Sequence, residues 1–220
     1  MTGTMTGLQL VNGLASLLIV TSLLVIEAKG ATRAAVYYAL QSFILVLIFL
    51  ALAVVMNAPQ LYYWAGVALV TKVVLVPLIM YRTLGRLSDP MLVEPRFGLA
   101  WTIILAGAVV AGCFAVVSSV HLPGAPELKP ALAISLAHFF LGLACIVMQR
   151  NLLKQVFGYC LMENGSHLTL ALMANRAPHV LEIGIVTDAI FAVVIMAIIG
   201  TMIHARLRTL DVRQLTSLRG

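Results

Sequence analysis

Residues 35–56 read AVYYALQSFILVLIFLALAVVM and contain no charged side chain. As a helix rising 1.5 Å per residue, such a run is about 33 Å long, close to the roughly 30 Å hydrocarbon core of a bilayer. Six further runs have the same character, at about Leu8–Ile26, Leu61–Met80, Leu99–Val120, Ala131–Met148, Leu152–Met173 and Val180–Ile203. The breaks between them carry turn chemistry, as in Asn57-Ala58-Pro59, Ser88-Asp89-Pro90 and Asn175-Arg176-Ala177-Pro178. They are too short to hold a soluble domain. The expected fold is therefore an all-α polytopic membrane protein of about seven transmembrane helices. Composition agrees: 62% of the 220 residues are hydrophobic and 10% are charged, where soluble domains have roughly 45–50% and about 25%.

The net charge of +6 does not point to nucleic acid, because the basic residues sit between apolar runs and form no patch. Cys113, Cys145 and Cys160 lie inside apolar runs without metal-ligand spacing, and read as small core hydrophobes. The stretch Met1–Gly7 has no basic cluster, and no small-residue cleavage site follows the first run, so that run is expected to stay as a helix.

Orientation follows from the basic residues. With the N-terminus outside, the inner side holds eleven of them: Lys29, Arg33, Arg82, Arg86, Arg96, Arg150, Lys154, Arg206, Arg208, Arg213 and Arg219. The outer side holds two, Lys129 and Arg176. That asymmetry puts the C-terminus inside.

A sparse internal repeat is also present. Leu69-Val70-Thr71-Lys72 corresponds to Ile185-Val186-Thr187-Asp188 at an offset of 116 residues, and Arg33 to Arg150 at 117. This predicts two parallel three-helix units, residues 1–98 and 130–220, joined by a linking transmembrane helix in 99–129.

A charge at the centre of a membrane helix costs about 2.5–3.5 kcal/mol on insertion scales, so a helix that keeps one turns it to a partner or a hydrated path. Glu163 falls 12 residues after Asn151, Asp188 10 residues after Pro178 and Lys72 13 residues after Pro59, which places all three near mid-membrane. His167 shares a helix face with Glu163 one turn on. His138 falls on the fifth run, and Glu182 near the outer end of the seventh. Titratable groups at one depth suit a proton or ion path. Each also admits a purely structural role as a helix–helix contact, such as a bridge from Lys72 to an acid.

The segment Gln149-Arg150-Asn151-Leu152-Leu153 followed by Gly158-Tyr159-Cys160-Leu161-Met162-Glu163-Asn164, with the closing Leu210-Asp211-Val212 and Leu218-Arg219-Gly220, resembles the K subunit of bacterial complex I. The whole chain resembles the hydrogenase-4 component E family. The carriers of that resemblance are Thr71-Lys72-Val73-Val74-Leu75-Val76-Pro77, Phe157 to Leu168, and Glu182 to Phe191. It implies a multi-pass subunit in the cell membrane of a bacterium or archaeon, within a complex I-related oxidoreductase. Its partners would be antiporter-like and complex I H-like membrane subunits, lipids and a peripheral hydrogenase arm. The [NiFe] centre and Fe–S clusters would all be on partner subunits, with no cofactor in this chain. The resemblance also implies an axis of protonatable residues through the membrane arm, to which the K-subunit glutamates belong; Glu163, Asp188, Lys72, Glu182, His167 and His138 are candidates for it by their place in the helices, and Lys72 has no K-subunit counterpart. One departure stands out: the first glutamate of the K-subunit pattern falls where this chain has Cys160, and Glu163 lies three residues later. The second acid falls at Asp188.

No nucleophile–base pair, phosphate loop or metal-ligand cluster is apparent, so no catalysis is expected from this chain alone. Three roles remain: lining a proton or ion path in a complex, ordering the neighbours of such a path, or acting as a free-standing small transporter.

Overall fold

A computed structural model describes residues 2–84, 98–120, 126–173 and 179–212, with side chains for all of these except 2–5, 31, 83–84, 179–186 and 188–189. Among the described residues there are seven long helices and no strands: α1 (Thr2–Glu27), α2 (Ala31–Val55), α3 (60–84), α4 (Leu99–Ser118), α5 (Lys129–Met148), α6 (Leu152–Met173) and α7 (His179–Leu207). Six are long and apolar enough to cross a membrane on their own composition. The exception is α6, whose 22 residues give it the length to span but which carries Lys154, Glu163, Asn164 and His167. It crosses by being enclosed, packed against α5, α2, α7 and α1.

The helices extend beyond the apolar runs where interfacial residues continue the turn. Thus α7 reaches Leu207 and includes His204 and Arg206. Arg208 then takes a left-handed backbone (φ 56°), which ends the helix. The chain turns back so that Leu152 N donates to Leu210 O (3.1 Å) and Val212 N to Arg150 O (2.9 Å). Leu210 is buried by this turn.

The closest helix pair is α5 with α6. A methyl group added at Gly142 would collide with the backbone of Met162 and Gly158, and one at Gly165 with the backbone of Phe139. Small residues let two membrane helices approach to backbone contact, which is how van der Waals packing replaces a hydrophobic driving force in lipid. Asn12 ties α1 to the start of α5. Its Oδ1 accepts from Ala131 N (3.1 Å) and its Nδ2 donates to Glu127 O (3.0 Å).

The buried apolar side chains form two layers. One layer centres on Leu18, Leu45, Phe49, Trp64 and Leu132. The other centres on Ile26, Tyr38, Met80, Phe157 and Leu210. Between them lies a polar band.

One local feature departs from the sequence reading. The third run predicts an unbroken α-helix, but α3 consists of Gln60–Ala68, a π-helical segment Leu69–Leu75 and Val76–Leu84. Nothing in the local sequence signals a π turn; it holds Lys72, which reaches into the bundle. Such turns are rare and are found frequently at functional sites. In chain order, α1–α2–α3 and α5–α6–α7 also share a pattern of neighbours, since each middle helix touches the other two of its set.

Candidate functional site

The polar band is built from one to three side chains on each of five helices. From α3, Lys72 Nζ makes an ion pair with Glu163 Oε1 on α6 at 2.5 Å and donates to Asn164 Oδ1 at 2.8 Å. The two side chains are 3% and 9% exposed, so the pair is withdrawn from both lipid and water. His167 lies one turn along α6 with Nδ1 3.5 Å from the same carboxylate oxygen. Asn164 uses its other end to donate from Nδ2 to Ser42 Oγ on α2 (3.3 Å). Thus a single ammonium group is held by a carboxylate and an amide carbonyl, and the amide is anchored on a third helix.

On the other side of α2, Gln41 faces α5 and α1. Its Nε2 lies 2.6 Å from His138 Nε2, and His138 Nδ1 lies 2.6 Å from Ser22 Oγ. Gln41, Ser22 and His138 are fully buried. The band therefore runs Lys72, Glu163 and Asn164, Ser42 and Gln41, His138, Ser22, across the bundle. Its direction is roughly parallel to the membrane plane, with the apolar layers above and below.

Of the residues singled out from sequence, the structure gathers Lys72, Glu163 and His167 into one cluster. His138 sits apart, in the second polar group. Asp188 and Glu182 are on α7 by backbone, and their side chains lie outside the described residues. Among the described residues, no three His, Cys, Asp or Glu side chains gather as a metal site would.

Sequence reasoning missed Ser22, Gln41, Ser42 and Asn164. For Gln41 and Ser42 a signal exists: they are adjacent polar residues in the middle of the 35–56 run. Lys154 needs a correction of another kind. It counts as an inner-side basic residue, yet it is buried in the first turn of α6, where Nζ donates to Ile26 O (3.0 Å) near the C-terminus of α1. A cation there meets the negative end of the α1 dipole and an otherwise orphaned carbonyl. Close by, Glu27 Oε1 is buried without a hydrogen-bond partner.

The sequence has known relatives. Residues 130–220, which take in α5 from Pro130 on, α6 and α7, match the family of NADH-ubiquinone/plastoquinone oxidoreductase chain 4L. A multi-pass helical bundle with a buried charge pair at mid-depth and a chain 4L-like C-terminal part is a complex I-like membrane subunit. Over nearly its whole length the chain is also similar to hydrogenase-4 component E from Escherichia coli (strain K12), Escherichia coli O157:H7 and Shigella flexneri. Each is 51% identical over 216 residues, covering 98% of this chain and 100% of the relative. The chain belongs to the hydrogenase-4 component E family. No solved structure matches it significantly.

Proposed function

We propose that this chain is a non-catalytic subunit of a hydrogenase-type oxidoreductase complex in the bacterial inner membrane, and that its mid-membrane polar band forms part of a proton or ion path. Electron transfer would take place at the metal centres of partner subunits, and the chain would couple to it through charge movement. The observation that carries this reading is the Lys72–Glu163 pair, buried between two apolar layers and continued sideways by Asn164, Ser42, Gln41 and His138. A group enclosed above and below exchanges charge most readily within the band, towards neighbouring subunits.

The chemistry is that of a coupled buried pair. A proton arriving at Glu163 neutralises the carboxylate and removes its attraction for Lys72. At 4 Å that attraction is worth about 4 kcal/mol at an effective dielectric of 20. Lys72 keeps Asn164 Oδ1 as a neutral partner, so the ammonium is not stranded. Loss of the proton restores the pair. Each change at one group thus alters the field at the other, as a relay requires.

The test is Glu163→Gln, which keeps shape and removes the proton site. The expected outcome is an assembled complex in which ion movement falls while electron transfer by the peripheral arm survives at least in part. Unchanged ion movement in an assembled complex would refute the reading.

A second reading has its own observation. Lys72 tethers α3 to α6, and α3 otherwise packs on α2 and α7. A pair in that position pins the bundle, and a structural subunit would need nothing more. Breaking such a pair on one side costs about 3–5 kcal/mol, because the other charge is left buried alone. Under this reading Glu163→Gln would lower assembly and leave the coupling of whatever complex forms unchanged.

A further inference from the structure

His138 is enclosed by two polar neighbours, Ser22 and Gln41. Ser22 Oγ donates its one hydrogen to Leu18 O at 2.5 Å, so it acts as acceptor towards His138 Nδ1 at 2.6 Å. With the Ser22 hydroxyl turned to Leu18, His138 carries its proton on Nδ1, and the lone pair is on Nε2. That lone pair accepts from the Gln41 amide, whose Nε2 lies 2.6 Å away. The other end of the same amide, Gln41 Oε1, is buried with no hydrogen-bond partner.

We propose that Gln41 is a positioning residue that controls whether His138 accepts a second proton. With the NH2 group turned to His138, a proton at Nε2 would face another donor. With the amide turned over, Oε1 would accept from Nε2–H and the imidazolium would be fully satisfied. The two amide orientations have nearly the same shape, so the turn requires no repacking. The proton adds to the Nε2 lone pair and leaves from the same atom, and no bond except N–H is made or broken. Gln41 stands beside Ser42, the anchor of Asn164, so it lies between the charged pair and His138. The inference rests on the path proposed above and assigns its control at this point to a neutral side chain.

The test uses the full chain, labelled with 15N-histidine and placed in lipid bilayers. The chain has five histidines, and the difference from His138→Gln assigns the ring signals in solid-state NMR. The wild type is expected to show Nδ1 protonated and Nε2 bare. Gln41→Glu offers a permanent acceptor, and both nitrogens should then be protonated at the same pH. Ser22→Ala removes the acceptor at Nδ1 and should give a mixture of tautomers. Gln41→Leu should leave the tautomer unchanged. In the whole complex it should reduce ion movement about tenfold or more, the scale of a lost hydrogen bond to a charged group. A wild-type Nε2–H tautomer, a bare Nε2 in Gln41→Glu, an unchanged tautomer in Ser22→Ala, or normal ion movement in Gln41→Leu would each overturn the proposal. The failure of the broader reading is separate: it is registered by Glu163→Gln, and the NMR readout does not depend on it.

Discussion

Helices α4 and α6 span the same bilayer by opposite means. Four of the 20 residues of α4 are buried, Thr102, Ala106, Cys113 and Val117, and they form one narrow stripe at helical spacing. Most of the rest faces outwards, including Trp101, Ile104 and Val116. In α6, 14 of 22 residues are buried, among them Lys154, Glu163, Asn164 and His167. Lipid tolerates α4 because its surface is apolar, and the bundle tolerates α6 because other helices supply its partners. Apolarity therefore marks the helix that does least in the site, and polarity marks the helix around which the site is built.

That contrast can be broken by substitution. The largest effect is expected at the α5–α6 seam. Gly142→Leu or Gly165→Val forces backbone atoms apart, and the chain should be lost from the detergent-solubilised complex. The matched change Gly112→Val on α4, where an added methyl meets nothing within 4 Å, should leave the amount of complex unchanged. Next comes Lys72→Met. It strands the Glu163 carboxylate and should destabilise the protein by about 3–5 kcal/mol, read as a clear drop in Tm. Adding Glu163→Met should recover most of that loss, because replacing both charges with apolar groups of similar size is often neutral or better. Lys154→Met removes one hydrogen bond from a charged donor to the α1 C-terminus. About 1.5–3 kcal/mol is expected from thermal unfolding in detergent. Smallest is Gly107→Ala on the open face of α4, expected within about 0.5 kcal/mol of the wild type.

The same contrast explains what could be read from sequence. Long apolar runs are an unambiguous signal, so the seven helices were within reach. Lys72, Glu163 and His167 were legible as exceptions, because charge is rare in such runs. The contact of His167 with Glu163 was legible from their spacing of four, and a bridge from Lys72 to an acid was an open reading, but which acid it meets was not legible. Lys72 and Glu163 are 91 residues apart, and equal depth does not specify which helices are neighbours. Ser22, Gln41 and Ser42 escaped notice because uncharged polar residues are common in membrane helices and need only one partner. The π segment around Lys72 follows from packing, and no residue type announces it. Lys154 misled in the other direction, since a lysine close to a turn looks like a surface charge until α1 is placed over it.

A neutral pair separates conduction from pinning most directly. Lys72→Gln combined with Glu163→Gln keeps two hydrogen-bonding side chains at the α3–α6 contact and removes both charges. In inverted membrane vesicles containing the whole complex, the quantity to measure is ions moved per electron transferred. The expected result is normal assembly with that ratio reduced to near zero. An assembled complex with an unchanged ratio would mean that the pair only holds the helices together, and would contradict a path through Glu163.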